Sequence, residues 1–190
     1  MGGPKKPEQE RCAAILAAAY EIALAEGLDA VTARRVATAA GISTGLVFFH
    51  FQSKDGLLEA LLGVLLDGTL DALSDSGLER LEPWDRLERM IRVELERLVE
   101  YHAAVELIFA FYFSRRDDLF RARIESSFGR YLAAFSPVCR EVAVGTRIQG
   151  DELAATVVAL VQGASIQAIR NPETFDPEAI LATLRAVRPA

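Results

Sequence analysis

Residues 32–54 read TARRVATAAGISTGLVFFHFQSK, and this stretch decides the fold. It contains two short helical patterns, with Thr32 placed to cap the first helix and Ser43 to cap the second. Gly41 lies between them and supplies the positive φ that a tight turn between helices requires. Two short helices joined in this way are typical of a helix-turn-helix, whose second helix enters the major groove of DNA.

The sequence on both sides of this stretch also predicts helices. Apolar residues recur at helical spacing from Glu8 to Glu26, from Ser53 through Leu65 and again beyond Pro83, and no segment shows the period of a strand. Hydrophobic residues make up 51% of the chain, enough for a sizeable core. We therefore predict an all-α protein of about nine helices. Residues 1–7 are expected to form a flexible arm, and Pro137 to kink or interrupt a helix.

Charge and cysteine content restrict the classes of protein. The net charge of -6 argues against a nonspecific nucleic-acid coat protein, but all three lysines fall within the first 54 residues. Binding to phosphates needs only such a local basic face. Cys12 and Cys139 are far apart and have no zinc-site or disulfide spacing, so both are expected to be small buried residues in a reducing cytoplasm.

The sequence also carries expectations about location. The N-terminal residues lack the apolar core of a signal peptide, and no apolar run is expected to reach the length of a membrane span. We therefore expect a soluble cytoplasmic protein without a membrane partner.

A longer pattern surrounds the helix-turn-helix. Its elements are Arg11, Ile15-Leu16, Ala18-Ala19, Glu26-Gly27, Thr32, Val36-Ala37, Ala40 to Ser43, Gly45, His50-Phe51, Ser53-Lys54 and Leu57-Leu58. With this spacing, and above all with the HF-x-SK-x-x-LL ending, the first third of the chain resembles the tetracycline-repressor (TetR) family of bacterial transcription regulators. The remainder resembles that family only in being helical and of suitable length.

The resemblance implies two domains with different functions. It implies a three-helix DNA-binding domain at residues 1–53 and a C-terminal helical bundle for ligand binding and dimerisation at residues 54–190. The implied function is that of a ligand-responsive repressor that binds a palindromic DNA operator as a homodimer and is released by a small apolar or aromatic effector. Activation instead of repression stays open. The alternative class is a helical ligand-binding or interaction module that has lost DNA recognition.

Several residue types suit contact with DNA. Arg34 can reach a guanine edge or a phosphate, and Lys54 is expected to bind a phosphate as a point charge. Small residues at the start of the second helix let its free amides approach the backbone closely. The predicted DNA-binding set is Thr32, Arg34, Ser43, Thr44, Gly45, Leu46, Phe48, Phe49, His50 and Lys54.

The groove-facing helix departs from the family's common Thr-Leu-Tyr-x-His-Phe. Leu46 and Phe48 stand where the family commonly has hydroxyl-bearing residues, so apolar contact, for instance with thymine methyl groups, replaces hydrogen bonds. Positions 47, 48, 49 and 51 cannot all be buried on one side of a helix. We predict that Phe49 points outward, leave Phe48 open, and place His50 on or near the outward side as a phosphate contact. Arg35 is expected to be a solvated charge.

The C-terminal residues support less specific predictions. The predicted pocket set is Trp84, Met90, His102, Glu106, Phe109, Tyr112, Phe113, Phe128 and Tyr131, although any one aromatic is more often ordinary core. His102 and Glu106 either contact a ligand or face solvent. The predicted dimer interface is Leu153, Val157, Leu160, Val161, Ala164, Ile180, Leu181 and Leu184. The alternative is that the last two helices only close the core of one chain.

An enzyme is the rival class, and the sequence offers little for it. The only histidines are His50 and His102, no cluster has metal-ligand spacing, and no glycine-rich phosphate loop precedes a helix. We therefore predict no catalytic residues, no metal site and no cofactor.

Overall fold

The computed structural model describes residues 7–71, 78–114 and 118–188. Within these ranges the chain forms nine α-helices and no strand, which confirms the all-α prediction. The helices are α1 (Glu8–Glu26), α2 (Ala33–Ala40), α3 (Thr44–Phe51), α4 (Lys54–Asp71), α5 (Pro83–Glu100), α6 (His102–Ser114), α7 (Asp118–Ala143), α8 (Gly150–Arg170) and α9 (Pro177–Ala186). Short 3-10 turns occupy Leu28–Ala30 and Leu78–Arg80.

The chain divides into two compact units. Unit 1 comprises residues 1–65 and 107–120, and unit 2 comprises residues 66–106 and 121–190. Helices α4, α6 and α7 therefore each contribute residues to both units. This division into compact units does not test the predicted boundary between a DNA-binding domain at residues 1–53 and a C-terminal domain at residues 54–190. That boundary stays a prediction.

Unit 1 is built around the apolar faces of its first four helices. Helix α1 buries Ile15, Ala19 and Ala23, which recur every four residues on one face. Helix α2 packs against both α1 and α3, and Val36 and Val47 are fully or almost fully buried there. Helix α4 adds its predicted leucine stripe, in which Leu57, Leu58, Leu61 and Leu62 are at most 1% exposed.

The junction between α3 and α4 is unusually tight. Gln52 adopts a φ of 63°, and the Ser53 N–H donates to the Phe51 carbonyl at 2.7 Å. Ser53 then accepts a hydrogen bond from the Gly56 N–H through its side-chain oxygen at 3.0 Å. A Cβ atom at position 56 would lie 2.2 Å from the Phe51 carbonyl oxygen. Only glycine at this position lets the first turn of α4 approach the end of α3.

Unit 2 has its own core, formed largely by α5, α7, α8 and α9. Its fully buried residues include Leu95, Phe135, Cys139, Ala154 and Leu181. Helix α5 packs against both α8 and α9. Ion pairs also join α5 to α9 and to the residues just after it, among them Arg92 to Glu178 at 3.0 Å, Arg185 to Glu88 at 2.8 Å and Arg188 to Asp85 at 2.6 Å. Solvent-exposed ion pairs contribute little to stability, so these pairs orient the short α9 more than they stabilise it.

Two expectations about helices need correction. Pro137 lies inside α7, which continues to Ala143, so the expected interruption is wrong, whereas the alternative of a kink stays a prediction. The helix continues because Phe135, Val138 and Cys139 on either side of the proline are buried in the core. Helix α8 is long and apolar enough to cross a membrane by length and composition alone, contrary to the expectation that no run reaches that length. Core helices of soluble proteins have the same properties, and α8 buries one face against α5. The expected N-terminal arm, apart from Pro7, lies outside the described residues.

The tight junction predicts a large effect from one methyl group. Gly56→Ala should lower the free energy of unfolding by about 1–3 kcal/mol, because the new Cβ collides with the backbone of Phe51. Gly68→Ala in the same helix is the matched control, because nothing lies within 4 Å of its Cβ position. It should leave stability unchanged or raise it by up to about 1 kcal/mol through helix propensity. Urea unfolding followed by circular dichroism measures both, and equal effects would contradict the proposed constraint.

Candidate DNA-binding and effector sites

The turn between α2 and α3 has the predicted geometry. The Thr32 side chain caps α2 by accepting a hydrogen bond from the Arg35 N–H at 3.3 Å, and Ser43 caps α3 through the Leu46 N–H at 3.2 Å. Gly41 has a left-handed conformation with φ of 67°. The following N–H, of Ile42, donates back to the Ala37 carbonyl at 3.0 Å. These predictions about caps and turn are confirmed, and together they fix the direction in which α3 begins.

Helix α3 presents one side to the core and another to solvent. Val47 faces inward at 1% exposure, whereas Phe49 is 73% and Phe48 45% exposed. The predicted outward position of Phe49 is confirmed, and Phe48 lies between the two sides. Among the small residues before them, Ser43 and Gly45 are exposed and Thr44 is half-buried, as is Leu46. The second helix of the helix-turn-helix thus presents an exposed ring beside a small-residue N-terminus.

His50 does not lie where the sequence predicted. Its side chain is only 2% exposed, so the expected outward position is wrong. Its Nδ1 lies 3.5 Å from the Cys12 Sγ, and its Nε2 is buried without a hydrogen-bond partner among the described residues. The physical reason is helical phase. Position 50 lies three residues after Val47 and one before Phe51, so its side chain turns toward α1 and away from the side that bears Phe49.

The three nearby cations have different partners. Arg35 forms a two-pronged ion pair with Glu26 at the end of α1, which lowers the pKa of the Glu26 carboxyl and raises that of the guanidinium. Lys54 donates to the Asp29 backbone carbonyl at 3.1 Å. Arg34 is exposed, and its guanidinium has no ion-pair partner in the described part of the chain. Among these cations Arg34 is therefore the one not engaged with the protein itself.

The predicted pocket residues fall in both units and differ in exposure. In unit 2, Met90 and Tyr131 are buried, Trp84, His102 and Phe128 are half-buried, and Glu106 is exposed. In unit 1, Phe109 is half-buried and stacks on Phe113 with 6.1 Å between ring centroids. Tyr112 and Phe113 are 53% and 67% exposed.

A buried carboxyl group that the sequence analysis missed lies on α5. Glu94 is 7% exposed, its Oε2 accepts a hydrogen bond from the Tyr131 hydroxyl at 2.8 Å, and its Oε1 is buried without a partner among the described residues. Burial raises the pKa of Glu94, and the hydrogen bond from Tyr131 opposes that rise only in part. Glu94 falls in the buried stripe of α5, between Ile91 and Leu98, so the helical spacing of the sequence could have predicted its burial.

The predicted dimer residues also separate by burial. Val157, Val161, Ala164 and Leu181 are at most 5% exposed and belong to the core of unit 2. They help to close the core of one chain, as the alternative expects, and Ala164 also lines a groove along α8 and α9. Their place in a dimer interface stays a prediction. Leu153, Leu160, Ile180 and Leu184 are half-buried and stay candidates. The exposed side of α8 instead carries small residues, namely Ala155, Ala159 and Gly163.

The fold and the site together define a class of protein. A capped helix-turn-helix with an exposed recognition helix, followed by a separate helical unit, is the architecture of a DNA-binding transcriptional regulator. Residues 15–61 match the bacterial regulatory proteins of the tetR family, and residues 83–187 match the C-terminal domain of BetI-type transcriptional repressors. The chain belongs to the TetR family, and it is a DNA-binding transcriptional regulator.

Individual relatives cover most of the chain. The transcriptional regulator PksA of Bacillus subtilis is 23% identical over 93% of this chain and 88% of its own length. A regulator from Saccharomonospora viridis, solved in complex with choline, has a TM-score of 0.77 at 20% identity, covering 94% of this chain and 95% of its own. AibR in complex with isovaleryl coenzyme A and operator DNA has a TM-score of 0.72 at 16% identity, covering 94% and 98%.

The buried Glu94 predicts a pH-dependent difference in stability. A carboxyl group whose pKa is raised in the folded state favours folding when protonated, so its contribution is complete below the unfolded pKa of about 4.5 and is lost as the pH rises through the folded value. Glu94→Gln cannot ionise and keeps an oxygen for the Tyr131 hydroxyl. The variant should therefore gain stability relative to the natural protein as the pH increases from 4 to 8.

Thermal unfolding at several pH values measures this difference. Glu125→Gln is the matched control, because Glu125 is exposed on α7 and its replacement should give no such trend. If the Glu94→Gln and natural proteins show parallel profiles, Glu94 does not carry a raised pKa.

Proposed function

We propose that the protein represses transcription by binding a palindromic operator as a homodimer, and that a small effector releases it. The observation that carries the proposal is the solvent-facing side of α3, where Phe49 is 73% exposed next to the small residues of the helix N-terminus. A ring exposed on the second helix of a helix-turn-helix is available for apolar contact with base edges in the major groove.

The proposed DNA contacts follow from exposure and charge. Arg34 reads a guanine edge or binds a phosphate, and Phe49, with Phe48 and Leu46, meets thymine methyl groups. The amides at Ser43, Thr44 and Gly45 face a phosphate at the helix N-terminus, and Thr32 and Lys54 bind the backbone beside them. Lys54 has two further N–H protons besides the one it donates to Asp29. His50 is left out of the proposed contacts because its side chain is buried.

We propose that the homodimer forms through α8 and α9. A two-fold operator requires a two-fold protein, and small residues let helices of two chains approach closely. The exposed Ala155, Ala159 and Gly163 provide such a surface on α8, and the partly exposed Leu160 and Ile180 supply apolar bulk. Residues of both helices also line a groove of about 490 Å³ in which side chains of a partner can pack.

We propose that the effector binds through unit 2, near Met90, Glu94 and Tyr131. The sequence indicates an apolar or aromatic effector, and the unpartnered Glu94 oxygen adds a preference for a hydrogen-bond donor or a positive charge. The choline bound by the Saccharomonospora viridis regulator has such a charge. Helix α4 begins at Lys54, directly after the recognition helix, and ends at Asp71, so we propose that it transmits the effector's influence.

The remaining expectations accompany this proposal. Regulators of this family act on DNA and are generally not enzymes, so we propose a non-catalytic protein of the bacterial cytoplasm that needs no metal or cofactor. The rival reading, a binding module that has lost DNA recognition, draws its support from Leu46 and Phe48, which lack the hydroxyl groups common in the family.

Binding to the DNA that flanks its own gene tests the proposed function. The natural protein should bind this DNA sequence-specifically, with an affinity that falls as the salt concentration rises. Arg34→Ala should lower the affinity for the specific site by about 1–3 kcal/mol and relax specificity at one position. Lys54→Ala should weaken binding to all sequences and reduce the salt slope by about 1. Fluorescence anisotropy at several salt concentrations measures all three effects.

The matched control for these variants is Val64→Ala, which changes an exposed side chain of α4 and should leave binding unchanged. The absence of any specific, salt-sensitive shift for the natural protein would refute the repressor and favour the binding module.

Substitution of two exposed glycines, one on the proposed dimer surface and one outside it, tests the proposed dimer. Gly163 on α8 and Gly129 on α7 are both exposed, and nothing lies within 4 Å of either Cβ position. Gly163→Arg should therefore leave the single chain folded but block close approach of α8 to a partner. Light scattering should show about 41 kDa for the natural protein and for Gly129→Arg, and 20.7 kDa for Gly163→Arg. A natural protein that is monomeric at micromolar concentration would contradict the dimer.

A further inference from the structure

A thiol, an imidazole and a carboxylate come together between α1 and α3. The Cys12 Sγ lies 3.5 Å from the His50 Nδ1, although the two residues are 38 positions apart. The Glu8 Oε1 lies 3.9 Å from the same nitrogen. None of these three side chains has a role in the proposed DNA contacts. The arrangement pairs a nucleophile with a base, and places a third group where it stabilises the charge that forms on the base.

Burial makes the imidazole unusual. The His50 side chain is 2% exposed, and its Nε2 is buried without a hydrogen-bond partner among the described residues. Its Nδ1 lies next to the polar side chains of Cys12 and Glu8. Cys12 itself is only half-buried, in contrast to the buried Cys139. A shielded base therefore lies against a half-buried thiol, which is the pairing that activates nucleophilic side chains.

We propose that Cys12 is a covalent modification site for soft electrophiles of the α,β-unsaturated carbonyl class. The His50 Nδ1 accepts the proton from the Cys12 thiol, and the thiolate attacks the β-carbon of the electrophile, forming an S–C bond. The electron pair of the carbon–carbon double bond moves to give an enolate. The imidazolium returns the proton, directly or through water, to the α-carbon, so that His50 is neutral again and no oxidant or leaving group is required.

The adduct affects the recognition helix. At 3.5 Å the sulfur and the imidazole nitrogen are already in contact, so a carbon substituent on Sγ displaces the His50 ring. His50 directly follows Phe49 in α3, which has only eight residues. Displacement of the ring therefore moves or loosens the helix that presents Phe49. This consequence rests on the proposed function: modification of Cys12 lowers the affinity for the operator.

Cys139 provides an internal comparison. Its side chain is 0% exposed, and burial raises the pKa of its thiol to about 11. A reagent that reacts through the thiolate should leave Cys139 untouched in the folded protein. The two cysteines of the chain therefore serve as the reactive site and the control in one molecule.

Alkylation by N-ethylmaleimide at pH 7, followed by intact-mass spectrometry, tests the site. We expect one adduct, on Cys12, in the natural protein and in Cys139→Ser, and none on the same timescale in Cys12→Ser. His50→Gln should slow the adduct at Cys12 by at least about tenfold, since general bases contribute about 10²–10⁴-fold. Equal rates in a folded His50→Gln protein, or faster reaction at Cys139, would overturn the proposal.

A second comparison applies if His50→Gln does not fold, as judged by its thermal unfolding. The rate at Cys12 is then measured in the native and the urea-unfolded natural protein at the same pH. Unfolding exposes the thiol fully, so a faster reaction at Cys12 in the native protein cannot come from better access to the sulfur. Such a result supports activation by His50. An equal or slower native reaction overturns it.

DNA binding then tests the coupling separately. The alkylated natural protein should lose operator affinity at least about tenfold, whereas Cys12→Ser should bind equally well before and after exposure to the reagent. Unchanged affinity of the fully modified protein refutes the coupling but leaves the proposed function intact. If no form binds DNA, the proposed function fails, and the alkylation rates still decide whether Cys12 is an activated thiol.

Discussion

The recognition helix α3 has eight residues, too few for a helix to be stable in water by itself. It exists because both of its ends are fixed. Gly41 and the Ser43 cap set its start, and the close approach of Gly56 to the Phe51 carbonyl sets its end. With the ends fixed, burial of Val47 against α2 determines the rotation of the helix, and that rotation exposes Phe49. The orientation of the recognition helix therefore depends on contacts at its two ends, in addition to the residues on its exposed side.

Charge acts locally in this acidic protein. The chain carries a net charge of -6, and two of the cations near the recognition helix are engaged with the protein itself, Arg35 with Glu26 and Lys54 with the Asp29 carbonyl. These contacts hold α2 and α4 to the rest of unit 1. Arg34 is left available on the exposed side. An acidic remainder disfavours nonspecific attachment to DNA, so specific contacts carry a larger share of the binding energy.

Unit 2 combines an apolar core with one buried polar pair. Burying Glu94 lowers stability unless its oxygens are hydrogen-bonded, and only one of them has a partner among the described residues. This cost to the stability of the core supports the effector site that we propose near Glu94. The small exposed residues of α8, unlike Glu94, do not destabilise the single chain. They leave room for another helix to pack closely against α8.

The sequence by itself determined the all-α class, the helix-turn-helix, its caps and its turn, because helical periodicity and capping depend on side chains within a few residues of one another. It also predicted the outward Phe49, because positions 47, 48, 49 and 51 cannot all lie on one side of a helix. It did not determine that His50 turns inward, that α7 continues through Pro137, or that Val157, Val161 and Ala164 belong to the core. A periodic pattern shows that a helix has an apolar face, but only tertiary packing decides which neighbour covers that face. The contact between Cys12 and His50 likewise required two distant helices to meet.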